Sequence, residues 1–175
     1  MQTRLWTRSP SEFKSLEGIE YFNFEEEFME KGIRCIPMII RFKLDMAGIK
    51  LKLNEWNKLL VQERIDLACR PCNNEEEAKK YRQYLSGLVR KRCNREPTDL
   101  AIAGSPGWAD RYRIPDLLLD KLKDTDLFIS IRQWQRLTNL QRFALIKLCR
   151  PGHESKNFPK ALREFGIISS LTPSC

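Results

Sequence analysis

One stretch of this chain is written twice. LKLNEWNKLLVQERIDLACRP (Leu51–Pro71) resembles ISIRQWQRLTNLQRFALIKLCRP (Ile129–Pro151). At an offset of 78, Leu51 and Leu53 match Ile129 and Ile131, Trp56 matches Trp134, Leu59 matches Leu137, and Arg64 matches Arg142. Both copies close on Cys-Arg-Pro, two residues later in the second. Such self-similarity constrains a fold more than composition does, because each copy must solve the same packing problem. Each reads as an extended lead-in, a short helix with its Trp facing inward, a turn and a second helix ended by proline. Thr138 and Gln141 have the spacing of a capping box for the second helix of the second copy.

Around the two copies the remaining signals are mostly helical. Ile36, Ile39, Ile40, Leu44 and Ala47 recur at helical spacing behind Pro37, and Gly48 stands where a left-handed cap belongs. Ile49, Leu51 and Leu53 then alternate with lysines as a short extended segment. A long helix is predicted from Asn73 or Asn74, with Glu75, Glu76 and Glu77 in its first turn and Arg90, Lys91 and Arg92 in its last, which suits the helix dipole. Asn94 to Asp110 is a Gly/Pro/Ser-rich loop, Pro115 opens a helix to about Lys123, and Phe158 to Phe165 forms a last helix closed by Gly166. Ile19 to Phe24 is expected to dock in extended form.

The fold class is therefore mainly α, with two similar short helical hairpins around a longer helix and short extended segments. At 175 residues, one domain over 19–168 is expected, with a flexible arm over 1–18 and a polar tail over 169–175. The longest stretch of apolar residues and proline, Cys35 to Ile40, stops at Arg41, so no membrane span is expected. The N-terminus lacks the apolar run of a secretory signal, which points to the cytoplasm.

Charge narrows the function classes only a little. The net charge of +8 raises the prospect of an acidic partner, nucleic acid included. Yet Glu17–Glu30 holds no Lys or Arg and Lys79–Arg95 holds no acid, and the long helix explains much of the basic run. A DNA-reading hairpin would need exposed polar residues near the start of its second helix. Here Arg64, or Gln141 with Arg142, sit among core residues, so the structural reading is favoured and a basic nucleic-acid-binding module is the alternative. Catalytic signatures are missing: there is one histidine, His153, and no HExxH, phosphate loop or GxSxG. Neither enzyme activity nor a cofactor is expected. Cys69-Arg-Pro-Cys72 is a single CxxC, which could complete a zinc or iron–sulfur set only if the fold brought Cys149 and His153 to it. Otherwise these cysteines are small hydrophobes.

Two blocks, Arg34–Asn57 and Leu137–Gly166, resemble the hallmark segments of the nitrate reductase associated protein family, and Lys79–Val89 is similar too. The resemblance covers roughly Ile19–Ile168. It implies a non-catalytic accessory or maturation factor in nitrate assimilation, with a molybdenum- and iron–sulfur-containing nitrate reductase or its maturation machinery as partner. Family features carry over to Arg34, Cys35, Pro37, Arg41, Asp45 and Gly48, and to Arg142, Arg150, Pro151, His153, Glu154, Asn157 and Phe158. Cys69 and Cys72 depart from the pattern. The expected partner-binding site is the loop Arg150–Phe158, carrying Arg150, His153, Glu154, Asn157 and Phe158, with Arg34 and Arg41 beside it. Arginines and aromatics on loops between rigid helices are the residues interfaces favour. No metal site is assigned.

Overall fold

In this computed structural model residues 16–25 and 35–168 are described. Most of the expected arm and the tail over 169–175 lie outside them. The chain divides into two compact units: Met1–Tyr21 with Glu25–Ile102, and Phe22–Phe24 with Ala103–Cys175.

The first unit contains α1 (Met38–Ala47), β1 (Ile49–Lys50), α2 (Leu53–Trp56), α3 (Val61–Cys69), α4 (Glu75–Cys93) and β2 (Thr98–Asp99). Pro37 is the residue before α1, and α1 ends in the left-handed conformation at Gly48, φ 62°. Only glycine fits there: an added Cβ would lie 2.7 Å from the Ile102 side chain and 3.1 Å from the Leu100 carbonyl. The chain then pairs with β2 in antiparallel register, Ile49 opposite Asp99. The strand is shorter than the alternation predicted, because Leu53 already belongs to α2 and is exposed. Asn74 caps α4 by accepting from the Glu77 amide at 2.9 Å, and Asn94 closes it with φ 52°. Ile40, Leu44, Trp56, Leu67, Tyr81, Leu85 and Val89 fill the core.

The second unit contains α5 (Asp116–Asp124), α6 (Ile131–Arg136), α7 (Asn139–Leu148), a 3₁₀ turn (His153–Asn157) and α8 (Phe158–Glu164). Its core includes Leu118, Leu122, Ile129, Trp134, Phe143, Leu145, Leu148, Phe158 and Leu162. Phe22 and Phe24 are buried here too, edge-on to Phe165. Residues 23–25 make a helical turn rather than the extended strand expected. The cause is local: the amides of Asn23 and Phe24 both donate to the Glu164 carboxylate, at 2.7 and 3.0 Å. A turn presents two successive amides to one acceptor, whereas an extended strand points them apart.

With both units in view, the repeat is longer than its sequence signal. At the same offset, Pro37 and Pro115 both precede a helix. Ile40 matches Leu118, Leu44 matches Leu122, and all four are buried. Gly48 matches Asp126, and both are left-handed, with φ 62° and 53°. Each unit is thus helix, left-handed stop, extended lead-in, two-helix hairpin and a fourth helix. The hairpins share the bonds that start their helices and the bond from arginine to tryptophan. In the first copy the amides of Lys52 and Leu60 donate to Glu55 at 2.6 Å and Glu63 at 2.8 Å. In the second the amides of Ser130 and Thr138 donate to Gln133 and Gln141, each at 2.9 Å. Arg64 donates to the Trp56 carbonyl and Arg142 to the Trp134 carbonyl, at 3.2 and 3.4 Å, and each guanidinium lies against that tryptophan's ring.

Candidate partner-binding site

The loop expected to meet a partner joins α7 to α8. Helix α7 stops at Leu148, Cys149 caps it, and Arg150 and Pro151 are exposed. Gly152 takes φ 153°, a region nearly closed to other residues. Its carbonyl then accepts from the Ser155 amide at 3.2 Å and the Ser155 hydroxyl at 2.7 Å, which starts the 3₁₀ turn. The turn runs from His153 to Asn157 and feeds directly into α8.

The predicted site residues divide between two environments. Arg150 is exposed. Asn157 is buried, and its side-chain amide donates to the Phe24 carbonyl at 3.3 Å. Phe158 is fully buried. Both therefore hold the loop to the unit's interior. His153 and Glu154 lie in the turn between these outward and inward residues. Arg41 is half-buried on α1 in the first unit, and Arg34 lies outside the described residues.

The arginines singled out for a DNA-reading helix are turned inward. Arg142 is 5% exposed. Its Nε donates to the Trp108 carbonyl at 2.7 Å and its other nitrogens to the Leu137 carbonyl at 2.8 Å, the Trp134 carbonyl and the Asn139 side chain. Burial, with Arg111 nearby, lowers its affinity for the proton. This guanidinium ties the loop before α5 to the hairpin and is not offered to a ligand.

Cys72 and Cys149 are similarly embedded, while Cys69 is exposed. The Cys72 thiol lies 3.7 Å from the Lys43 carbonyl, to which it donates. Lys43 Nζ donates to the carbonyls of Ala68 and Arg70, closing the end of α3. Burial pushes the Cys72 thiol up to about 11 and the Cys149 thiol up to about 12, and burial lowers Lys43. Metal binding needs deprotonated sulfur. Cys69 and Cys72 are in the first unit and Cys149 and His153 in the second. Among the described residues, no three His, Cys, Asp or Glu side chains gather where they could hold a metal ion.

Sequence reasoning passed over the carboxylate caps. Glu63 receives Arg92 at 2.7 Å and Glu55 receives Arg95 at 2.7 Å, and both carboxylates are buried. Burial acts to raise the Glu63 carboxyl, but the bonds from Arg92 and the Leu60 amide outweigh it and hold the group below its ordinary range. Their signal was the offset itself, since Glu55 and Glu63 stand where the second copy has Gln133 and Gln141. Arg132 and Arg136, exposed on α6, were also missed.

Among the described residues, no helix is long and apolar enough to cross a membrane. The family model for the conserved nitrate reductase-associated protein matches residues 21–165, more than four-fifths of the chain. No curated protein and no solved structure matches the chain.

Proposed function

We propose, from the premise that this chain belongs to the conserved nitrate reductase-associated protein family, that it is a non-catalytic accessory or maturation factor for an assimilatory nitrate reductase. The single observation that carries this reading is the family match over residues 21–165. Supporting it, the polar groups that a catalytic site would use are spent on structure. Arg142 serves carbonyls, Glu55 and Glu63 serve helix starts, and the Cys72 and Cys149 thiols are held protonated. The factor acts in the cytoplasm, on the reductase or on its maturation machinery. Deleting its gene should abolish growth on nitrate and spare growth on ammonium. Undiminished growth of the deletion strain on nitrate would overturn the proposal.

For the contact itself the proposal keeps the loop between α7 and α8. Arg150, His153 and Glu154 supply the polar contacts, and Asn157 and Phe158 fix the loop's shape. Replacing His153 and Glu154 together by alanine should leave the melting temperature nearly unchanged and weaken capture of the reductase. A collapse in thermal stability would make the loop a structural brace instead.

A further inference from the structure

The second copy of the hairpin carries a surface that its fold does not require. Between Asp126 and Glu154 the chain contains no Asp or Glu. Within that stretch Arg132, Gln135 and Arg136 share one face of α6, at the i, i+3, i+4 spacing. Arg111 joins them: its guanidinium donates to the Gln135 carbonyl at 3.5 Å and lies 5.8 Å from the centre of the Tyr112 ring. Arg111, Arg132 and Arg136 make no ion pair among the described residues. The nearest acid in sequence, Asp110, is occupied by the amides of Tyr112 and Arg113, and Asp116 pairs with Arg113. Close to these cations along the chain are apolar side chains left in water. Tyr112 and Phe128 are each 74% exposed and Ile131 is 41% exposed.

The first copy is an internal control. At the positions of Phe128, Arg132 and Arg136 it has Lys50, Asn54 and Lys58, and it folds into the same hairpin with the same caps. The aromatic and the two-arginine face are therefore surplus to folding. Only the apolar position is shared, Leu53 standing exposed where the second copy has Ile131.

We propose that this face of the second unit, Arg111, Tyr112, Phe128, Ile131, Arg132 and Arg136, docks an acidic surface of the nitrate reductase. The proposal rests on the association read above and adds a second contact to the one placed at the loop between α7 and α8. Arginines with exposed aromatic and apolar side chains match the composition of protein–protein contacts. The three unpaired guanidinium groups select carboxylates and steer them in from solution. A nucleic-acid track would instead call for cations spaced along a groove, without exposed Phe and Ile side chains.

The test grafts the first copy's residues onto the second: Phe128→Lys, Arg132→Asn and Arg136→Lys in one chain, with Arg111→Ala in another. All four side chains are exposed, so the thermal midpoint should match that of the wild type. Binding to purified nitrate reductase is measured by calorimetry at low and high salt. Wild-type affinity should fall steeply as salt rises, and the graft should bind at least about tenfold more weakly at low salt. Arg111→Ala should lose a smaller factor. Equal binding by graft and wild type overturns the docking surface while leaving the association standing. No binding by the wild type overturns the association, and this surface with it. If the graft instead loses affinity only for a fluorescein-labelled DNA duplex, the face is a nucleic-acid site and the proposal is wrong.

Discussion

The two hairpins answer one backbone problem with different chemistry. Each must satisfy the first amides of two short helices and bring a tryptophan into the core. The first copy does so with carboxylates, Glu55 and Glu63, each joined by an arginine from α4 or the segment after it. The second uses the amides of Gln133 and Gln141, backed by the hydroxyls of Ser130 and Thr138, which accept from the same residues' amides at 3.2 and 3.1 Å. The balance reverses at the matched arginine. Arg64 is half-buried, while Arg142 is almost wholly enclosed and serves four acceptors. One copy thus holds its charge at the helix starts, and the other at the centre of the turn. Conserved backbone geometry leaves open where a repeat places its charge.

The largest expected effect comes from the enclosed arginine. Arg142→Ala leaves the buried Leu137 carbonyl and the part-buried Trp108 carbonyl without their donor, and a buried unsatisfied group costs about 1–3 kcal/mol. A loss of about 3–4 kcal/mol is expected, measured as the shift in urea denaturation midpoint. Arg142→Lys should recover little, because one ammonium cannot span the fork of acceptors. Arg64→Ala removes a bond to Trp56 and a ring contact at a part-solvated site, and should cost about 1 kcal/mol. Equal costs at the two positions would break the comparison.

The Glu63 cap should make the first hairpin sensitive to acid, whereas the second has Gln141 at that position and no group there to titrate. Glu63 has a folded pKa below its unfolded value. Its stabilisation is therefore complete above the unfolded value, near pH 4.3, and is lost as pH falls through the folded one. Glu63→Gln installs the second copy's residue, keeping an acceptor for the Leu60 amide and removing the titration. At pH 7 it should cost about 1 kcal/mol through the weakened link to Arg92. Below about pH 4 the difference from wild type should shrink towards zero. A gap that persists unchanged in acid would show that shape, not charge, separates the caps.

Much of this architecture was legible in the residues and some was not, for physical reasons. Helix starts, stops and the repeated Trp and Arg follow from local rules, so Asn74, Gly48, Thr138 and Gln141 stand where the spacing put them. The first third of each repeat was illegible. Ile40 and Leu118, or Gly48 and Asp126, share a role without sharing a residue type, and only burial and backbone angle unite them. The helical turn at residues 23–25 depends on Glu164, some 140 residues away, and no local pattern announces it. At the candidate site, the sequence singled out a loop but could not separate Arg150, which faces water, from Phe158, which faces the core. Phe158 opens α8 with its aromatic ring on the buried side, and helical phase in so short a segment is not readable from composition.

The smallest expected effect sharpens the comparison at its end, where both copies write Cys-Arg-Pro. The second hairpin helix is longer, and this carries its cysteine past the last turn into the interior. Cys69 is the final residue of α3 and exposed, while Cys149 caps α7 with 7% of its surface accessible. Burial pushes the Cys149 thiol up to about 12, so almost none is thiolate at neutral pH. Reaction needs both thiolate and access, and Cys149 lacks each. Brief labelling of the native protein with iodoacetamide at pH 7.5, read by peptide mass mapping, should mark Cys69 at least about a hundredfold faster than Cys149. Denaturant should equalise them, and neither modification of Cys69 nor Cys69→Ser should move the melting temperature by more than about 1 °C, since the side chain stands in solvent. Comparable native labelling of the two would mean that α7 frays at its end, placing Cys149 and the loop behind it in water.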